Sequence, residues 1–231
     1  MHFEILVEDL SGKIMLASLI PMIIGADPAN TFRIIHYRGC GSLPSDLKVN
    51  QAADKRALLN QLPRLLIGYS RAFQNAVSDN AVIVVCDLDT RDKDTFLARL
   101  NQMRDEAAAA TSVPLTVRFC LAIEEGEAWL LGDWEAVKQA YPQTKASVFR
   151  KYQNDAVCGT WEMLADMICP GGSAKLKAEG HSLLGQAKCE WAEKISPLMD
   201  ISRNKSPSFN VFKSALESLL HLPHHEPEHI T

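Results

Sequence analysis

Two kinds of hydrophobic run alternate along the first half of the chain. Residues 3–7 (FEILV) are β-prone and stop at the acidic pair Glu8-Asp9. Apolar positions at helical spacing then fill residues 13–24, and Gly25 and Pro28 end that segment. Residues 31–37 (TFRIIHY) read as a second strand, followed by a Gly-rich loop at 38–44 (RGCGSLP). Leucines at 58, 59, 62, 65 and 66 mark one face of a long helix over 54–77, with a kink or restart expected at Pro63. Residues 81–86 (AVIVVC) are continuously apolar, which suits a strand covered on both faces. That strand ends at Asp87-Leu88-Asp89. Residues 92–110 are helical in pattern, residues 115–123 (LTVRFCLAI) form a fourth strand ending in Glu124-Glu125, and a helix follows from Gly126.

This β-α-β-α-β-α-β-α order predicts an α/β fold, a mostly parallel sheet with helices on its faces. Beyond about residue 141 the strand signal fades, and helical pieces appear at 187–195 and 208–220. The chain therefore divides into an α/β domain over 1–140 and a helical C-terminal region over 141–231 packed on it. The last ten residues (LPHHEPEHIT) are polar, and their histidines read as a solvated, frayed end.

Composition narrows the function classes. A net charge of −4 over 231 residues gives no general attraction to nucleic acid or to a membrane surface. The longest apolar stretch, 14–26, contains Pro21 and is too short to span a bilayer. The N-terminus carries acids and no basic leader, so the expectation is a soluble cytoplasmic protein without membrane contact. Six cysteines occur without a C-x-x-C pair, and Cys86 and Cys120 fall inside apolar strands, where a thiol is a small core residue. Cys158, Cys169, His181 and Cys189 match no zinc spacing.

The acids carry the chemistry. Ligands of open α/β sheets bind beyond the carboxyl ends of the strands. Here three strands end in acids: Glu8-Asp9, Asp87 with Asp89, and Glu124-Glu125. Carboxylates gathered at one edge repel one another unless a cation joins them, and Mg2+ or Mn2+ prefers such hard oxygen ligands. Glu8, Asp87 and Asp89 are the leading metal candidates, with Glu124 or Glu125 contributing. The plainer account makes Asp87 a helix cap, Asp89 a solvated residue and one of the acids at 124–127 a partner of the helix dipole. Trp129 is expected in the core. Ser11-Gly12-Lys13 lacks the glycine and hydroxyl residue of a phosphate loop. Asp87-Leu88-Asp89-Thr90 is followed by Arg91, unlike the haloacid-dehalogenase signature.

A Glu after the first strand and a D-x-D after a later one resemble the Toprim fold of topoisomerases, primases and certain nucleases. Across most of the chain, ILVEDLSGK (5–13), LLNQLPRLLIGY (58–69), VVCDLDTRD (84–92), AIEEGEAWLLGD (122–133), GTWE (159–162), KCEWAEKI (188–195) and SPSFNVF (206–212) resemble the bacterial family known as domain of unknown function 4276. The resemblance implies a Toprim-like fold and Mg2+ or Mn2+ at Glu8, Asp87 and Asp89. It further implies hydrolysis of a nucleic acid phosphodiester, and an ATPase partner protein in a phage-defence or mobile-element system. Many nucleases of that class have Glu-Gly where this chain has Glu8-Asp9. They also place a late lysine near the scissile phosphate, and Lys188 is the candidate here, with an ordinary surface lysine as the plainer reading. The alternative function is a non-catalytic regulatory subunit of an ATPase complex.

Overall fold

Four β-prone runs and the helical segments between them give the frame that positions the acids. In the computed structural model, residues 1–44, 47, 56–74, 76 and 79–221 are described. The alternating part comprises β1 (His2–Val7), α1 (Leu10–Ile24), β2 (Thr31–His36), α2 (Leu58–Phe73), β3 (Asn80–Asp87), α3 (Lys93–Thr111) and β4 (Val117–Ala122). Seven further helices follow: α4 (Glu127–Leu131), α5 (Trp134–Ala140), α6 (Ala146–Phe149), α7 (Thr160–Ile168), α8 (Gly172–Glu179), α9 (His181–Ile195) and α10 (Pro207–Leu220). A single 3-10 turn, Ser196–Leu198, lies between the last two. Histidines 224, 225 and 229, and the ends of the helix expected over 54–77, lie outside the described residues.

The strands form one parallel sheet in the order β2-β1-β3-β4. Chain order reverses between β1 and β3, because β2 returns on one side of β1 and β3 on the other. Loops leaving the carboxyl ends of β1 and β3 therefore diverge and leave a crevice between them. Glu8 follows β1 directly, and Asp87 is the last residue of β3.

Side-chain alternation sends the two faces of the sheet into different cores. Phe3, Ile5, Val7, Ile83 and Val85 pack with α1 and with helices of the second half. Leu6, Val82, Val84 and Cys86 pack with α2 and α3. The first core is continuous from β1 to α10. It includes Trp129 of α4, Trp161 of α7, Trp191 of α9, and Phe209 and Phe212 of α10. Trp129 is fully buried as expected, stacked on Phe212 at 4.9 Å with its indole N–H donated to Ser208 Oγ at 2.9 Å.

Two local differences from the pattern have clear causes. Helix α1 starts at Leu10 rather than at residue 13, because Asp9 caps it by accepting the Gly12 N–H at 2.7 Å. Gly12 lets that first turn lie on β1, since a Cβ there would come within 2.6 Å of Val7 Cγ2. Helix α2 runs through Pro63 without restarting. Proline removes only one N–H there, and the buried Leu58, Leu59, Leu62 and Leu66 hold the helix on the sheet. Among the described residues, no helix is long and apolar enough to cross a membrane.

Candidate functional site

The crevice beyond β1 and β3 holds a small cavity of about 30 Å3. Glu8, Asp9, Asp87, Glu127 and Lys188 bring its charge, and Val7, Met15, Trp129 and Leu130 are among its apolar walls. A wider groove of about 550 Å3 shares Asp9 and Ser11 with it and runs along α9 past Gln186, Cys189 and Glu193.

Glu8 and Asp87 are joined through the backbone: the Asp87 N–H donates to Glu8 Oε2 at 3.2 Å. Burial pushes the Glu8 carboxyl above its ordinary range, against the pull of that N–H. Asp87 titrates well above the usual carboxylate range, first because it is buried and then because Glu8 and Glu127 lie near it. Lys188 reaches in from α9, with Nζ 3.1 Å from Glu125 Oε2 and 3.2 Å from Glu127 Oε2. Its side chain is only 16% exposed. Burial disfavours its charge, but Glu127, Glu125 and Asp87 outweigh this and hold the ammonium well above an ordinary lysine. Burial likewise lifts Glu125 to about 7, with Lys188 opposing the shift.

Two further acids expected at this site, Asp89 and Glu124, point elsewhere. Asp89 does not line the cavity. It adopts a left-handed φ of 50°, which breaks the strand's alternation, and its carboxylate meets the Arg91 guanidinium at 2.6 Å. It stays close enough to Glu8 to raise that group's pKa. Glu124 also turns through a left-handed φ, of 62°. Its carboxylate accepts the N–H groups of Cys158 (3.1 Å), Gly159 (2.9 Å) and Thr160 (2.9 Å), and the Thr160 hydroxyl. These hydrogen bonds close the N-terminus of α7 and, despite partial burial, keep Glu124 below the usual range. Glu125 joins the site through Lys188.

With that geometry in view, the chain can be compared with known proteins. A family model described as domain of unknown function (DUF4276) matches residues 7–217. The chain belongs to that family. The matched span contains every residue of the acid cavity, from Val7 to Ala192. No curated protein and no solved structure matches the chain.

Strand ends pointed to Glu8 and Asp87, the family resemblance pointed to Lys188, and neither singled out Glu127. Three acids, Glu124, Glu125 and Glu127, fall within four residues around Gly126, and periodicity does not rank them. The left-handed turn at Glu124 decides it: β4 ends, Glu124 swings toward α7, and Glu127 enters the first turn of α4 facing Asp87. Among the described residues, no three His, Cys, Asp or Glu side chains are grouped so as to hold a metal ion.

Proposed function

We propose that this protein is a divalent-cation-dependent phosphodiesterase of nucleic acid, with Mg2+ or Mn2+ held by Glu8 and Asp87. The observation that carries the reading is the meeting of these two carboxylates in one cavity where the sheet's chain order reverses. Both are half-buried, and Glu127 adds a third negative charge nearby, so a cation would relieve the repulsion. Mg2+ commonly uses only one or two carboxylates and keeps several waters, so a pair of carboxylates suffices as the protein's share. The ion would supply Lewis acidity and an acidified water for attack on phosphorus. Lys188 would face the phosphate charge from α9, and Asp89, with Arg91, would border the site on the α3 side.

The groove beside the cavity carries Asp9, Glu190 and Glu193 and no basic side chain among its described residues. A polyanion is not drawn along it by charge. We therefore assign the grip on nucleic acid to a partner protein, an ATPase in the systems that the Toprim resemblance points to. A second reading has its own support. Lys188 already pairs with Glu125 and Glu127, which suits a non-catalytic regulatory subunit whose acid cluster is internally balanced.

Labelled single- and double-stranded DNA and RNA, incubated with Mn2+, separate the two. The enzyme reading expects cleavage of at least one that needs the ion and disappears in Glu8→Gln and Asp87→Asn. No ion-dependent cleavage of any of the four, with and without a candidate ATPase partner, would favour the regulatory reading.

A further inference from the structure

Gln61 is a buried polar side chain with nothing to bind. It lies on α2, is 9% exposed, and its amide Nε2 has no hydrogen-bond partner among the described residues. Folded chains rarely keep a buried N–H without an acceptor. Gln61 lines a groove of about 430 Å3 between α2 and the end of β2. That volume suits a small organic ligand. Gln61, Arg64, Leu65, Gly68 and Ala72 recur at helical spacing and form the α2 wall. A side chain built at Gly68 would meet nothing within 4 Å, so the middle of that wall is open. Two tyrosines complete the lining, Tyr37 just after β2 and Tyr69 on α2. Both are half-buried against the apolar core under α2 and α3. The Tyr69 hydroxyl donates to Glu4 Oε2 at 3.2 Å, and the buried Glu4 is held in turn by the Arg33 guanidinium at 2.8 Å. The Tyr69 ring is therefore fixed before any ligand arrives. Among the described lining residues the exposed Arg64 is the one charged side chain, and no carboxylate opposes it there.

We propose that this groove binds a nucleotide, its base against the tyrosine rings and Gln61 and its phosphate at Arg64. The unpaired Nε2 needs an acceptor, and the carbonyl oxygens and ring nitrogens of a base edge supply one. Tyrosine rings offer π faces on which every base stacks. The Arg64 guanidinium matches a phosphate in geometry and in sign. A purely apolar ligand would leave Nε2 unpaired, and a cation would be repelled by Arg64. The nucleotide is either free or part of a strand, because both present the same base and phosphate. The groove adjoins the strand end that carries Glu8: the Tyr37 N–H donates to Val7 O at 3.0 Å, and the Gly39 N–H to the Glu8 carbonyl at 3.1 Å. It shares no lining residue with the cavity of Glu8 and Asp87. Nucleotide binding here therefore does not rest on the metal reading.

The test is calorimetric titration of the full chain with the nucleoside monophosphates of adenine, guanine, cytosine and uracil, and with a phosphorylated hexanucleotide of mixed sequence. EDTA is present throughout, so that no divalent ion takes part. Binding of at least one of these probes is expected. A nucleoside, lacking the phosphate, should bind about tenfold more weakly than its nucleotide, and Arg64→Gln should weaken the nucleotide by about the same factor while leaving the nucleoside unchanged. Gln61→Met separates a binding site from a mere packing defect. It removes the unpaired N–H, so the free protein should melt at a higher temperature, while nucleotide affinity falls about tenfold. A hexanucleotide that binds more tightly than the mononucleotides, and is weakened by the same substitutions, identifies a nucleic acid strand as the source. A hexanucleotide that binds no more tightly than a mononucleotide identifies a free nucleotide. Failure of every probe to bind, binding that both substitutions leave untouched, or a nucleoside as tight as its nucleotide overturns the proposal.

Discussion

Lys188 is the residue on which the charge balance of the site turns. Among the described residues it is the one basic side chain lining the cavity, against Glu8, Asp9, Asp87 and Glu127. Lys188→Met should cost about 3–5 kcal/mol of stability at pH 7, the usual penalty for leaving buried partners unpaired. The loss should shrink at pH 5, where the freed carboxyls take up protons; denaturant unfolding at both pH values checks this. The acids carry a pH signature of their own. Burial raises Glu125 from 4.5 to about 7. The folded protein thus keeps a proton that the unfolded chain has already released, and stability falls as pH rises from about 4.5 to 7. Glu8 and Asp87 shift in the same direction and add to the fall. Glu125→Gln should flatten the profile across that window, as measured by melting temperature without divalent ions. At this scale the sequence was half legible. Strand ends flagged Glu8 and Asp87, but the directions of Asp89 and Glu124 depend on left-handed turns at non-glycine residues, which no periodicity reveals.

Among the elements, α7 depends on a carboxylate brought from β4. Its N-cap is Gly159, which has no side chain to offer the first turn, and Glu124 takes that role from 35 residues away. Glu124→Ala should cost about 1–2 kcal/mol, as for other lost caps. It should leave the Mn2+ response intact, because the carboxylate does not face the cavity. A reduced Mn2+ response in that variant would return Glu124 to the metal site. All four strands and the helices between them were legible, because a buried parallel sheet writes continuous apolar runs and its helices write a 3.6-residue period. Helix starts were less so. Asp9 begins α1 three residues before the apolar pattern does, since a cap is a local hydrogen bond rather than a hydrophobic position.

For the whole molecule, the division at residue 140 describes a change of pattern along the chain, whereas one core crosses it. Phe209 and Phe212 of α10 pack on Trp129 of α4, and α1 touches both α9 and α10. Sequence pattern cannot show such a join, because an apolar helix face does not name what covers it. The expected outcome in calorimetry is a single cooperative unfolding transition. Two separated transitions, with the first assigned to the last 91 residues, would instead make 141–231 an independent unit.

The central claim is that Glu8 and Asp87 form a cation site at the crossover edge of the sheet. Thermal melting across a Mn2+ and Mg2+ titration, on the reduced wild type and on Glu8→Gln and Asp87→Asn, tests it most directly. The account predicts a melting temperature that climbs with ion concentration in the wild type, by about 2.7 kcal/mol of stabilisation at a hundredfold excess over Kd, and stays level in both variants. A wild type indifferent to both ions, or variants that respond as the wild type does, would contradict it.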